Sequence, residues 1–343
     1  MPHMTPLPRF GRRHLLKLLP IAAGAAVLPA LAEPANKRFK ISLAQWSLHR
    51  ALKGGQLDPL DWPRYTKEKF GIDALEHVNQ FFAVGDRAKD RHGLQPKPQD
   101  YFLDLGIRMG DLGMKSVLIM CDGVGNLGDP DATRRTDAVE GHYPWLDTAL
   151  LLGCDSIRVN AGSDPKLMPE EQARLCADGL RRLSETAAPM GLNVIVENHG
   201  GLSSDGAWLS TVMRSVGLQN CGTLPDFGNF YLAKNRGDAE YYARQKALFI
   251  GRQTLEDEKG LGYDRYQGVT DLMSFAKGVS AKSHDFNDQG EETHTDFARM
   301  MAIVAASGYS GHIGIEYEGD GLSEDEGILR TKALLERVLA ALG

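Results

Sequence analysis

Four segments of the chain each carry a strand-like apolar run to a residue able to hold a metal ion: VIVENHGG at Glu197, GTLPDF at Asp226, SAKSH at His284 and HIGIEYEG at Glu316. From Glu197 to Asp226 to His284 to Glu316 the gaps are 29, 58 and 32 positions. A barrel of eight strand–helix units uses roughly 250 residues, about 31 per unit. Two gaps therefore match one unit, and the third matches one unit carrying an insertion. Residues at the carboxyl ends of neighbouring barrel strands converge on one mouth. Two Glu, one Asp and one His converging there form a hard, oxygen-rich site for a single divalent cation. These residue types leave Mn²⁺, Mg²⁺, Co²⁺ and Zn²⁺ all open.

Strand side chains two positions apart share a face. Glu197 then faces the same way as His199, Lys282 as His284, and Glu316 as Glu318. Such neighbours would set proton donors and acceptors around a polyol. Arg158 and Asn160 share a face on another run, and Glu76 ends a further run from which it would reach across the mouth. Taken singly, each has an ordinary explanation. A strand-end Glu76 is a solvated or capping residue, His284 a satisfied core or loop histidine, and Glu318 a solvent-facing acid. The fourfold repetition is what singles out the quartet. His77, His294 and His312 lack any such spacing and read as structural.

The elements needed to position these residues can be traced along the chain. Strand runs are KISLAQWSL (40–48), DALEHV (73–78), KSVLIMC (115–121), SIRVNAG (156–162), NVIVENH (193–199), CGTLPDF (221–227), GVSAKSH (278–284) and HIGIEYE (312–318). Between them lie helical stretches such as 169–190, 206–216, 295–306 and 325–342, with Leu175, Leu180 and Leu183 at the spacing of one packed face. Regular alternation of this kind predicts a parallel α/β domain, and eight runs predict a closed (β/α)₈ barrel, a TIM barrel. Glycines at 113, 153, 191 and 308 fall where a helix must end before the next strand. The insertion, about 229–265, follows the sixth run. It reads either as a lid over the mouth or as a surface excursion.

The chain opens FGRRHLLKLLPIAAGAAVLPALAEP. Paired Arg12 and Arg13, an apolar stretch from about Leu15 to Leu31 and the small residues Ala30-Leu31-Ala32 are the layout of a twin-arginine export signal. Pro20, Pro29 and the small residues make the run weak as a membrane span. The expected organisation is a signal over 1–32, cleaved after Ala32, and a single barrel domain over 33–343 in the periplasm or otherwise outside the cytoplasm. The net charge of −6 becomes more negative without the signal, which holds four basic residues and no acid. Such a chain has no basic footprint for nucleic acid. No stable membrane anchor is expected after cleavage, and self-association into a homo-oligomer is left open. Cys121, Cys154, Cys176 and Cys221 are too few and too scattered for a disulfide framework or a zinc motif, and read as buried thiols.

The motifs VIVENHGG, LPDFGNF, VSAKSHDF and YSGHIGIEYEGD resemble the xylose isomerase-like barrel superfamily, which includes ketose 3-epimerases, hydroxypyruvate isomerases and proteins described as sugar phosphate isomerase/epimerase. The similarity runs across most of 39–343. The resemblance implies that Glu197, Asp226, His284 and Glu316 bind one divalent ion. It further implies that Glu197 and Glu316 serve as an acid/base pair on either side of a sugar's carbonyl-bearing carbon. His199, Lys282, Glu76, Arg158 and Asn160 would then bind or polarise substrate oxygens. The chain departs from the ketose epimerase pattern at two points. Asn229 stands where a His is usual, and DFNDQGEE follows His284 where an Arg is usual.

A proton beside a carbonyl leaves slowly unless the enediolate that forms is stabilised by positive charge. Two carboxylates on opposite faces then permit removal on one side and return on the other. The expected activity is a divalent-metal-dependent isomerisation or epimerisation of a non-phosphorylated sugar or sugar derivative. One alternative is elimination or hydrolysis of a 3-keto-glycoside, which uses the same base and releases an aglycone. Another, from a different class, is a non-catalytic exported carbohydrate-binding barrel. A barrel nuclease would need more strand-end histidines than can be placed.

Overall fold

The computed structural model describes residues 38–85, 90–232 and 262–342. The segment read as an export signal, and most of the insertion after the sixth strand, lie outside the described residues. Eight parallel strands form the centre: β1 (Phe39–Ala44), β2 (Ala74–Val78), β3 (Lys115–Met120), β4 (Ser156–Val159), β5 (Asn193–Glu197), β6 (Cys221–Leu224), β7 (Val279–Ser283) and β8 (Gly311–Tyr317). Neighbours in the chain pair side by side from β1 to β6, β7 pairs with β8, and β8 returns to β1. The seam between β6 and β7 is joined by short parallel bridges, Thr223 to Ala276 and Asp226 to Ser280. Helices surround this nearly closed ring. The predicted TIM barrel is the observed fold.

All eight predicted runs contain a strand, and most strands stop earlier than the apolar pattern does. β1 ends at Ala44 and the chain coils into a 3₁₀ turn over Gln45–Leu48. Asn160, Asp226 and His284 each stand just past a strand end, so they are carried by the loops of the mouth. The predicted helices form over Pro169–Ala187, Gly206–Val216, Phe297–Ala306 and Glu324–Leu342. Asp205 and Asp296 cap two of them, accepting from the backbone N–H of Trp208 and Arg299; each such cap is worth about 1 kcal/mol. Gly191 and Gly308 reverse the chain before β5 and β8 at φ 73° and 86°, a region that only glycine enters freely.

Two layers of core result. Large apolar side chains fill the space between strands and helices. Inside the ring, Ala44, Ala74, Val78, Leu118, Met120, Ile195 and Leu224 make a smaller apolar plug. The four cysteines are buried and unpaired. Polar side chains are buried beside the plug, among them Ser42, Glu76, Arg158, Glu197, Asp226, Ser280, Lys282 and Glu316. Buried charge on this scale costs several kcal/mol per ion unless it is matched. The barrel therefore accepts a large penalty to place these groups.

Candidate active site

Glu197 closes β5, Asp226 lies two residues beyond β6, and Glu316 lies near the end of β8. One oxygen from each falls within 4.8 Å of the others, and all three residues are buried. Strand register decides what β7 adds. Lys282 is level with Glu316, and Ser280 is level with Asp226. The Ser280 hydroxyl lies 2.7 Å from Asp226 Oδ2 and 3.2 Å from Glu316 Oε2. Lys282 Nζ is 3.3 Å from Glu316 Oε2, 3.3 Å from Glu318 Oε2 and 3.8 Å from Asp226 Oδ2. The backbone N–H groups of Gly228 and Asn229 donate to Asp226 Oδ1, each at 2.8 Å. Asn198 ties the two loops together, donating to the Asp226 and Asn229 carbonyls and accepting from the Asp226 N–H.

A second cation anchors the other side. Arg158, on β4, places Nε 2.8 Å from Glu197 Oε2 and Nη1 2.7 Å from Asp122 Oδ1. Asn160 donates to the same Asp122 oxygen and meets His199 Nδ1 at 3.1 Å through Oδ1. The Asn229 amide donates to Glu197 Oε1 at 2.8 Å. Over these groups opens a cleft of about 190 Å³ whose walls include Arg158, Asn160, His199, Glu316 and Glu318, with Trp46 at its edge. A larger cavity, about 660 Å³, sits at the opposite end of the barrel around Lys40, Asp73 and Lys115. The strand-end carboxylates do not face it, and that end of a barrel serves stability.

The structure therefore brings Glu197, Asp226, Glu316, His199, Lys282, Arg158 and Asn160 to one mouth. His284 lies near Glu318 and Lys282 but is not in the group of ligand atoms within 4.8 Å of one another. Among the described residues, the group able to converge on an ion is Glu197, Asp226 and Glu316 alone in this mouth. His284 is half-buried, meets the His294 ring edge-on at 5.7 Å and donates its backbone N–H to Glu292. Lys282, two residues earlier, holds the position level with Glu316. Glu76 also misses the cleft. Its carboxylate accepts from Ser42 and lies against Gly314, where a Cβ would come within 2.5 Å of it. Asp122 and Ser280 were not expected. Asp122 follows the apolar run of β3 directly, so the strand-end rule applied to that run would have found it; Ser280 carries no such signal.

Burial works against every charge here, and the partners decide the outcome. It would lower Lys282, but Asp226, Glu316, Glu318 and Glu197 outweigh it and hold the ammonium well above the ordinary lysine value. Arg158 is held up likewise by Asp122 and Glu197. Asp122 ends well below the usual carboxylate range because Arg158, His199 and Asn160 overcome its burial. Burial pushes the Glu316 carboxyl up, with Lys282 the main opposing influence.

Glu76 has no such partner. Burial, against a weaker pull from the Ser42 hydroxyl, pushes it up to about 8. A carboxyl raised above its unfolded value contributes stability that is full below about pH 4.5 and is lost as pH rises toward 8. Glu76→Gln removes this loss while keeping the shape. Chemical denaturation at pH 5 and pH 8 should show the variant gaining on the wild type at the higher pH, by on the order of 2–3 kcal/mol. Equal gaps at the two pH values would show that Glu76 titrates normally.

The three carboxylates suit a divalent ion by distance, but the remaining donors do not. Each already faces a fixed positive or N–H group: Glu197 faces Arg158 and Asn229, while Asp226 and Glu316 face Lys282 and Ser280. The side chain level with Glu316 on β7 is an ammonium, which has no lone pair to offer. An ion placed among these oxygens would lie close to Lys282 with little solvent to screen the repulsion. This donor set does not fit a resident divalent metal.

A family model for the xylose isomerase-like TIM barrel matches residues 68–338. Among solved structures, a D-tagatose 3-epimerase-like protein is 15% identical with a TM-score of 0.61, over 88% of this chain and 98% of that one. A 3-keto-D-glucoside 4-epimerase from E. coli is 14% identical with a TM-score of 0.57, over 88% and 99%. An IolI protein with a bound zinc atom is 14% identical with a TM-score of 0.59, over 89% and 99%. At these identities the likeness is one of fold. A comparison with curated protein sequences found no match.

Proposed function

The chain belongs to the xylose isomerase-like TIM barrel family, and from that premise we propose that it is a sugar isomerase or epimerase. It works by moving a proton on the carbon beside a carbonyl. The observation that carries this reading is the pair Glu197 and Glu316, buried on β5 and β8 across one mouth and each set against its own cation. One carboxylate takes the proton and the other returns it. Arg158 and Lys282 bear on the enediolate oxygen as its charge develops, in a site where charge acts at low dielectric. His199 and Asn160, joined to each other, suit the hydroxyls of a polyol, and Trp46 lines the same cleft.

The substrate in this reading is not phosphorylated. Arg158 and Lys282 are each matched by at least two carboxylates, and Asp122, Glu316 and Glu318 line the cleft, so it offers poor terms to a phosphate. Export fits the same reading, with residues 1–32 as a twin-arginine signal and Glu33 as the mature amino terminus. Terminal sequencing of protein recovered from the periplasm checks this, and an intact Met1 there would refute cleavage.

The deciding experiment incubates the protein in deuterated water with a panel of free ketoses and 3-keto-glycosides. One of the structural neighbours is described as a 3-keto-D-glucoside 4-epimerase, which supports including the second class. The expected result is deuterium uptake at the carbon beside the carbonyl, with the sugar skeleton and any aglycone retained. Release of the aglycone would mark the chain as a keto-glycoside lyase or hydrolase instead. Binding without exchange would make it a carbohydrate-binding barrel.

A further inference from the structure

We propose that Lys282 is the resident cation of this mouth, supplying from within the protein the positive charge that a divalent ion would otherwise bring. Three independent features of the structure carry it. The first is position. β7 pairs with β8 so that Lys282 lies level with Glu316, and its stem runs directly to the carboxylates. The second is contact. The ammonium sits at ion-pair distance from Glu316, Glu318 and Asp226, and its side chain is only 3% exposed. A group so placed does the electrostatic work of a small cation, with each acid oriented by the same charge.

The third feature is how the stem is housed. A Cβ on Gly228 would come within 3.0 Å of Lys282 Cδ and 3.2 Å of Cγ. The loop after β6 thus gives up a side chain at 228, and the lysine chain occupies that space on its way to the carboxylates. Moving Lys282 aside to admit an ion would leave this space unfilled. Ser280 meets both Asp226 and Glu316, and Asn229 meets Glu197, so the acids are held without metal bonds.

Two consequences follow. The carboxylate triangle is assembled in the protein as folded, and it does not recruit Mn²⁺ or Zn²⁺ tightly. Resting on the isomerase or epimerase reading, the ammonium also faces the developing enediolate, so turnover needs no added metal. The first consequence stands or falls independently of the second.

The test dialyses the full mature chain against chelator. It then titrates Mn²⁺ and, separately, Zn²⁺ by calorimetry, with metal content measured by elemental analysis. The wild type is expected to show no saturable binding and far less than one ion per chain. Lys282→His places an imidazole at the register of Glu316 and is expected to take up one ion per chain. One tightly held ion per wild-type chain would overturn the proposal. So would a folded Lys282→His, verified by circular dichroism, that gains no metal. If that variant does not fold, the wild-type titration decides alone. With a substrate from the deuterium panel, chelator should change the exchange rate by less than about twofold; loss on chelation and recovery with Mn²⁺ would overturn the second consequence. If no sugar exchanges, the functional reading fails while the titrations still judge Lys282.

Discussion

Glu316→Gln is expected to fold as the wild type does and to lose about 10²–10⁴ in turnover, the usual contribution of a positioned acid or base. Gln keeps the shape of the side chain and can still accept from Ser280 and Lys282. Lys282 keeps two carboxylate partners, Glu318 and Asp226. The cost therefore falls on proton transfer and not on the architecture. Denaturation midpoints for variant and wild type should lie close together while rates diverge.

A finer consequence separates two-face chemistry from a single shuttling base. If Glu197 and Glu316 serve opposite faces, Glu316→Gln retains one competent base. Starting from the epimer whose proton faces Glu197, the variant should still wash deuterium into the substrate while forming almost no inverted product. From the other epimer, both exchange and inversion should be lost. Nuclear magnetic resonance of each pure epimer in deuterated water reads both quantities at once. Equal loss of exchange from both epimers would mean that one carboxylate does all the proton transfer. Unchanged turnover would remove Glu316 from the mechanism.

The fold was legible in the sequence because parallel barrel strands, covered on both sides, read as short apolar runs at a regular repeat. Three site residues were legible for the same reason, since Glu197, Asp226 and Glu316 each terminate or follow such a run. His284, expected beside the other three, stands outside their group of ligand atoms within 4.8 Å. Residues two apart share a strand face, so Lys282, expected to bind substrate, and His284, expected to bind metal, point the same way from β7. Only the pairing of β7 with β8 settles which lies level with Glu316. Asn229 was visible as a departure from the expected pattern. Its grip on Glu197 depends on how the loop after β6 folds back over β5, and the Asn198 bonds that fix this loop have no signature in sequence. Asp122 was missed although it follows an apolar run, because its meaning lies in its partner Arg158 on the neighbouring strand.

Arg158→Met should be the most destabilising single change at this mouth, by about 3–5 kcal/mol, because it strips a shared cation from two buried carboxylates at once. Met retains most of the stem volume, so little of this cost is cavity. Asp122 and Glu197 would remain at 2.7 and 2.8 Å from where the guanidinium stood, with Asn160 and Asn229 as neutral donors only. The sign of the pH dependence identifies the cause. In the wild type Asp122 is depressed below its unfolded value, so its contribution is present above about pH 4 and is lost only on acidification. Without Arg158, burial at Asp122 loses its largest opposing charge and the Asp122 carboxyl rises. The variant is then closest to wild type near pH 4 and falls behind as pH rises toward 7. Denaturation series at several pH values should show a gap that widens with pH, and a constant gap would mean that lost packing, not orphaned charge, sets the penalty. Adding Glu197→Gln to Arg158→Met removes one of the two orphaned charges. The double variant should recover part of the loss at neutral pH while regaining no activity, which separates what Arg158 does for the fold from what Glu197 does for the reaction.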